Sequence, residues 1–210
     1  MLDESGVRAI LEPFQLELSS SQISQLLDYL DLLLRWNRKI NLTSIRTEEE
    51  CVSRHFGESL YLARWIKLQG NLLDIGSGAG FPGLALRIAF PELATTLLEP
   101  VAKKRAFLKE AARVCGVSKV DVRPERLEDF ARQNSVAIYD AITARAVGHF
   151  DSLVPQALNL IKPEGSICLW IGQNQGKSLL ESPALVQWGA PIAMPIGRER
   201  EIWVGTHKLR

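Results

Sequence analysis

Asp74, Glu99 and the glycines between them are the residues whose types and spacing most plainly offer chemistry. Asn71 to Gly83 reads N-L-L-D-I-G-S-G-A-G-F-P-G. Gly76, Gly78 and Gly80 alternate directly after the apolar run Leu72, Leu73, Ile75. Glycines let backbone N–H groups approach a ligand closely and tolerate positive φ. Pro82 suits a first helical turn, where its missing donor costs nothing. The stretch therefore reads as strand, tight loop and helix, with backbone donors and a helix N-terminus turned toward a small ligand. Glu99 lies about 20 positions on, where a carboxylate can accept from both hydroxyls of a ribose.

Two ligand classes compete for this loop. Counted from Gly76 the pattern is G-x-G-x-G, as in loops that bind S-adenosylmethionine. Counted from Gly78 it is G-x-G-x-x-G, the formal dinucleotide fingerprint. Phe81 and Pro82 are bulky neighbours for a pyrophosphate, and Asp74 suits a ligand with a cationic amino-acid end. Both points favour S-adenosylmethionine. A loop without any ligand would hold three alternating glycines at an entropic cost with nothing to offset it. Leu127 and Glu128 follow the third expected strand, although Glu128 serves equally as a partner for Arg132 one turn on. Arg145, in T-A-R-A-V after the fourth strand, faces the cleft centre and can hold a carboxylate or a phosphate; a surface arginine is the plain alternative. Lys103, Lys104 and Arg105 flank the same side and belong to a possible basic face. His55, in C-V-S-R-H-F-G-E-S, is a packing or capping histidine as readily as a substrate contact. The histidines at 55, 149 and 207 have no metal-ligand spacing. No nucleophile–base pair can be argued, and no metal is expected.

The elements that must position these residues follow from pattern. Helical spacing marks 7–14 and, after the cap L-S-S-S-Q, a strongly amphipathic helix from Ile23 to Trp36 or Asn37. T-E-E-E from Thr47 starts another, running to Trp65. Strands are expected at 72–75, 95–98, 119–122, 137–143 and 166–170. Helices are expected at 82–90, 101–115, 127–131 and 153–160, and Lys162 to Gly165 is expected as a turn. This alternation means βαβ units and a mostly parallel sheet. Segments 186–192 and 201–206 read as an antiparallel hairpin on the sheet edge, which departs from a six-strand nucleotide-binding sheet. The expected fold is α/β, a seven-strand mostly parallel Rossmann-like sheet of the S-adenosylmethionine-dependent methyltransferase type, its last strand inserted antiparallel. Residues 1–65 are expected as an N-terminal helical subdomain packed on the core, and 66–210 as the methyltransferase domain.

Composition bounds the rest. The 210 residues carry 25 basic and 24 acidic side chains, too balanced to argue nucleic-acid binding from net charge. The distribution is uneven: residues 1–60 hold 6 basic and 10 acidic side chains, residues 103–132 hold 9 and 5. A local basic face competes with an ordinary solvated helix surface. No apolar run is long enough for a membrane span. The acidic start M-L-D-E-S-G lacks signal-peptide order, and the three scattered cysteines imply no disulfide framework. A cytoplasmic protein is expected.

The motifs together resemble one family. They are W-N-R-K-I-N-L-T-S-I from Trp36, R-H-F-G-E-S from Arg54, D-I-G-S-G-A-G-F-P-G from Asp74, K-K-R-A-F-L from Lys103, E-R-L-E-D-F from Glu125 and A-R-A-V from Ala144. The chain is similar, from about Leu26 to Ile171, to the RsmG or GidB family of bacterial 16S rRNA guanine-N7 methyltransferases. The resemblance implies S-adenosylmethionine as cofactor, with Gly76, Phe81, Leu127, Glu128 and Arg145 at its site. It implies 16S rRNA within the 30S subunit as partner, and a monomer is expected. Departures are Glu58 in place of an aspartate, W-I-G-Q after the fifth strand, and I-G-R-E-R-E near the C-terminal strands. The rival classes are an NAD-dependent oxidoreductase and a non-catalytic ribosome-assembly protein that binds RNA.

Overall fold

The computed structural model describes residues 2–145, 148–181, 186–197 and 200–208. Helix α1 (Glu4–Leu11) begins at Asp3, whose carboxylate accepts from the Gly6 N–H, and tightens into a 3-10 turn at Glu12–Phe14. It starts earlier than the apolar spacing predicts because the cap, not the first apolar residue, sets the boundary. Helix α2 (Ser20–Asn37) opens on a capping box between Ser19 and Gln22 and buries Ile23, Leu26, Leu30 and Leu33. Asn37 then folds the chain back. Its side-chain oxygen accepts from Leu42 and Thr43 N–H at 2.9 and 3.0 Å, and its amide donates to the Thr43 carbonyl at 2.9 Å.

The next helix, capped at Thr47, is not uniform. An α turn, α3 (Glu48–Glu50), passes into a π-helical stretch at Cys51–Gly57, an α turn, α4 (Glu58–Leu60), and a 3-10 turn at Tyr61–Arg64. The expected single helix is therefore widened in its middle, a feature found often at functional sites.

The core alternates β1 (Asn71–Ile75), α5 (Gly83–Ala89), β2 (Ala94–Leu98), α6 (Ala102–Val114), β3 (Val120–Arg123), α7 (Leu127–Gln133), β4 (Tyr139–Arg145), α8 (Phe150–Leu158) and β5 (Ile161–Gly172). Helix α9 (Gly176–Glu181) and strands β6 (Val186–Trp188), β7 (Ile192–Ala193) and β8 (Arg200–His207) complete it. The strand order is β3-β2-β1-β4-β5-β8-β6, with β7 also on β8. Strands β1 to β5 pair parallel, and β8 runs antiparallel between β5 and β6. The sheet is the expected type, with the last strand inserted antiparallel and a two-residue eighth strand added.

Three expectations are corrected. Lys162 to Gly165 is not a free turn but part of β5. The register with β4 jumps from Tyr139↔Ile161 to Ala141↔Ser166, so the extra residues bulge out of the ladder. Helix α9 was not expected; its six residues bury Gly176 and Leu179, too little apolar repetition to read. The strand expected over 186–192 is split into β6 and β7 by Gly189, Ala190 and Pro191.

The N-terminal helices close the ends of core helices. Gln22 donates to the Ala89 carbonyl at the end of α5 (2.6 Å), and Gln25 to the Cys115 carbonyl at the end of α6 (2.7 Å). Those carbonyls lack intrahelical partners, so α2 is both apolar cover and cap. The three cysteines are buried free thiols. Among the described residues no helix is long and apolar enough to cross a membrane.

Candidate cofactor site

Strand β1 ends at Ile75, and the chain turns through Gly76, Gly78 and Gly80 at φ +67°, +57° and +89° before α5. These are left-handed values that a side chain strains. Ser77 N–H bonds the Leu98 carbonyl at 2.9 Å, fastening the loop to the end of β2. Glu99 follows Leu98 and is buried. Its carboxylate accepts from the Gly78 N–H at 2.9 Å and from the Val101 N–H at 2.8 Å, one bond per oxygen. Each oxygen keeps a second acceptor position. Arg105 donates to the Glu99 and Pro100 carbonyls at 3.0 and 2.7 Å, so its head group braces the β2–α6 turn.

A cavity of about 260 Å³ opens at this edge of the sheet. Ile75, Leu98, Pro100, Leu127 and Leu153 give it apolar walls; Gly76 and Glu128 also line it. A Cβ added at Gly76 would meet no atom within 4 Å, because it would stand in open space on the cavity side. Of the residues read from sequence, Gly76, Leu127 and Glu128 thus converge on one cavity, and Gly78 in the same loop is bonded to Glu99. In α7 Arg132 pairs with Asp129, not Glu128, which leaves the Glu128 carboxylate available to the cavity.

Gly80 and Phe81 face the other way. A Cβ on Gly80 would run into the Tyr29 hydroxyl and meet Leu84 at 3.0 Å. Phe81 is buried in a stack, its ring 5.3 Å and 10° from Tyr29 and 4.6 Å and 11° from His55. Tyr29 donates its hydroxyl to the Ala79 carbonyl. The N-terminal helices thereby grip the glycine loop from behind. Such stacked pairs contribute roughly 0.5–1.5 kcal/mol each beyond burial. His55 lies within 2.7 Å of the Thr43 hydroxyl through Nε2, while its Nδ1 is buried without a partner. Burial, with Arg145, Arg200 and Arg54 nearby, lowers its pKa to about 3. It is a neutral packing ring at physiological pH.

Arg145 does not point into the cleft centre. It is turned toward Glu58, donating to the Glu58 carboxylate at 2.8 Å and to the Arg54 carbonyl at 2.7 Å. Arg200, from β8, donates to the same Glu58 oxygen at 2.9 Å, and Trp170, from β5, donates to the Glu58 carbonyl at 2.8 Å. The side chains of Arg145 and Glu58 are 8% and 6% exposed. Burial lowers the Arg145 pKa to about 10 against the pull of Glu58. Its Nη1 is buried without a partner. Sequence reasoning missed this cluster: its members lie on four elements, and the sole signal was the unusual Glu58 inside R-H-F-G-E-S. Lys103 is exposed and Lys104 half-buried, on the outer face of α6.

Asp74 is fully buried at the end of β1. Its Oδ1 accepts from the Thr143 hydroxyl at 2.8 Å and its Oδ2 has no partner. Burial raises its pKa to about 6 against the hydrogen bonds that oppose it.

Residues 22–194 match the GidB family, described as rRNA small subunit methyltransferase G. The chain belongs to this family. It is 38% identical over 183 residues to the ribosomal RNA small subunit methyltransferase G of Halorhodospira halophila, covering 84% of this chain and 83% of that one. It is 43% identical over 152 residues to the protein of that name from Chloroflexus aggregans, covering 71% and 64%. Among solved structures, the ribosomal protein L11 methylase of Lactobacillus delbrueckii superposes with a TM-score of 0.61 at 15% identity, covering 75% of this chain and 80% of that one. That likeness shows the fold. Family and fold together make the chain an S-adenosylmethionine-dependent methyltransferase, and neither supports an NAD-dependent oxidoreductase or a non-catalytic RNA-binding protein.

The residues present fit that cofactor. Open space over Gly76, apolar walls suited to a purine and spare acceptor positions on Glu99 match an adenosine. Among the described residues no group of three His, Cys, Asp or Glu is placed to hold a metal ion.

Proposed function

We propose that the chain methylates N7 of a guanine in 16S rRNA of the small ribosomal subunit, acting as a cytoplasmic monomer without a metal. Residues 1–65 form its helical subdomain and 66–210 its methyltransferase domain. Family membership, with a cavity that fits the cofactor, carries this reading. S-adenosylmethionine supplies an electrophilic methyl group when bound. Gly76 and the backbone around it, Leu127, Glu128 and the ribose-facing lone pairs of Glu99 hold its nucleoside; Gly78, Gly80 and Phe81 shape the loop that does so. Arg145 holds a carboxylate or phosphate on exchange from Glu58.

Guanine N7 carries a free lone pair on the major-groove edge. No proton has to leave before attack, so the protein needs placement rather than a strong base. The site agrees with that requirement. His55 is neutral, but it is stacked and half-buried against Phe81, and Asp74 is sealed inside the sheet edge. Lys103 and Lys104 add positive charge beside the cavity for the RNA backbone.

Two measurements test the reading. Methyl mapping of 16S rRNA after incubation of undermethylated 30S subunits with the protein and S-adenosylmethionine should find one N7-methylguanine; none would refute it. Glu99→Gln should weaken S-adenosylmethionine binding by roughly tenfold, about 1.4 kcal/mol, because an amide cannot accept from Gly78 and Val101 with both of its atoms. Unchanged calorimetric affinity would remove Glu99 from the site.

A further inference from the structure

Helices α2 and α6 pack antiparallel, and their pairing decides what stands at the cofactor end of the seam. Near the start of α2, Gln25 donates to the Cys115 carbonyl at the end of α6, at 2.7 Å. Near the end of α2, Trp36 meets Phe107 of α6 edge-on, with ring centroids 5.7 Å apart. Continuing in the same direction reaches Arg38 and Lys39 on one side and Lys103 and Lys104 on the other, each about 3–6 Å further along at 1.5 Å per residue. Arg38, Lys39 and Lys103 are exposed and Lys104 is half-buried. Pro100 lines the cofactor cavity and Val101 is the N-cap of α6, so this corner adjoins the cavity.

Two features set these four cations apart. Elsewhere along the seam charge is neutralised locally: Arg35 pairs with Asp31 at 3.1 Å and Arg113 with Glu110 at 2.8 Å. Arg38, Lys39, Lys103 and Lys104 form no ion pair with another described residue. The second feature is position. Lys103 and Lys104 occupy the first turn of α6, which holds no acid. The N–H groups there already carry partial positive charge, so cations are misplaced in the free protein. A local rule broken without a partner is expected where a function offsets it, and an external polyanion does so. Glu48 and Glu49 share a cavity with Arg38 and Arg46, two carboxylates against two guanidiniums, so the excess positive charge lies with Lys39, Lys103 and Lys104. The two pairs of cations belong to helices packed about 8–10 Å apart. That spacing suits successive phosphates along a strand rather than one small anion.

The geometry points to the α2–α6 corner as a docking surface for the sugar–phosphate backbone of the substrate RNA, with Arg38 and Lys39 acting beside Lys103 and Lys104. The N-terminal helices then supply half of the RNA contact besides covering the core. This rests on the rRNA-methyltransferase reading above and names the surface through which that reading engages its substrate. Phosphate contacts set register and orientation and leave sequence to other groups.

Arg38→Gln/Lys39→Gln removes two cations at exposed positions outside the cofactor cavity. Binding to 30S subunits, followed by filter retention, should weaken at least fivefold at about 100 mM salt. The slope of log affinity against log salt should flatten by about 1.4–1.8, two phosphate contacts at about 0.7–0.9 each. Lys103→Gln/Lys104→Gln should do the same. Calorimetric S-adenosylmethionine affinity and the melting temperature of Arg38→Gln/Lys39→Gln should be unchanged, which excludes misfolding. Arg35→Gln/Arg113→Gln removes two cations already paired in the same seam and should cost less than twofold. A loss under fivefold from Arg38→Gln/Lys39→Gln, or an equal loss from Arg35→Gln/Arg113→Gln, would overturn the assignment. If the unsubstituted protein binds 30S subunits but methylates no guanine in them, the enzymatic reading fails instead, and the same comparison still decides the docking surface.

Discussion

Removing Glu58 should destabilise the protein more than removing Arg145, although the two are partners. In Glu58→Ala, Arg145 loses its carboxylate at 2.8 Å and keeps the neutral Arg54 carbonyl, while Arg200 loses the same carboxylate at 2.9 Å. Arg145 is 8% exposed and, with a pKa of about 10, remains charged at pH 7.5. An uncompensated buried charge of this kind costs about 3–5 kcal/mol. In Arg145→Ala, Glu58 keeps Arg200 at 2.9 Å and Arg54 at 4.0 Å, so its charge stays compensated. The cost should fall to about 2 kcal/mol, on the scale of one charge-assisted hydrogen bond. At about 2–4 °C per kcal/mol for a chain of this size, melting temperatures should drop about 6–20 °C and about 4–8 °C. The double substitution should cost less than the sum by about 2 kcal/mol, since it leaves no lone Arg145 charge. Urea denaturation followed by circular dichroism measures all three. Arg145→Ala costing as much as Glu58→Ala, or strict additivity, would show that Glu58 does not serve several cations at once.

The glycine loop should separate binding from stability. Gly76→Ala places a methyl group in open cavity space and should weaken S-adenosylmethionine at least tenfold for about 1 kcal/mol of stability, whereas Gly80→Ala drives a methyl group against Tyr29 and should cost about 3 kcal/mol; calorimetric titration and thermal melts distinguish the two. Asp74 should make the ligand-free protein less stable as pH rises. Its folded pKa of about 6 exceeds the ordinary aspartate value of 3.8, so the folded state holds the extra proton between these values and stability falls by up to about 3 kcal/mol across that window. Asp74→Asn should flatten that slope in urea titrations from pH 3.5 to 7.5, and an unchanged slope would place the proton elsewhere.

What was legible in the sequence was what short range determines. The capping residues Ser19 and Thr47, the alternating glycines and the apolar runs of β1 to β4 each act within a few positions, and each stands close to where pattern puts it. Glu99 was legible because topology, not contact, places the end of β2 beside the loop. What failed was side-chain direction. Arg145 was expected in the cleft centre because it follows β4, yet it turns to Glu58, 87 positions away, since a buried guanidinium goes to the nearest buried carboxylate. Phe81 follows the glycines and reads as a cofactor neighbour, yet Tyr29 and His55 draw it to the opposite face. Both surprises have one cause. The N-terminal helices share a buried face with the glycine loop and a buried ion pair with the end of β4. A reading that treats them as an extension loses the partners that fix the site. The loop's shape on this account depends on α2, so a change at Tyr29 should register at Gly76 through Ala79 and Phe81 before it registers in the sheet.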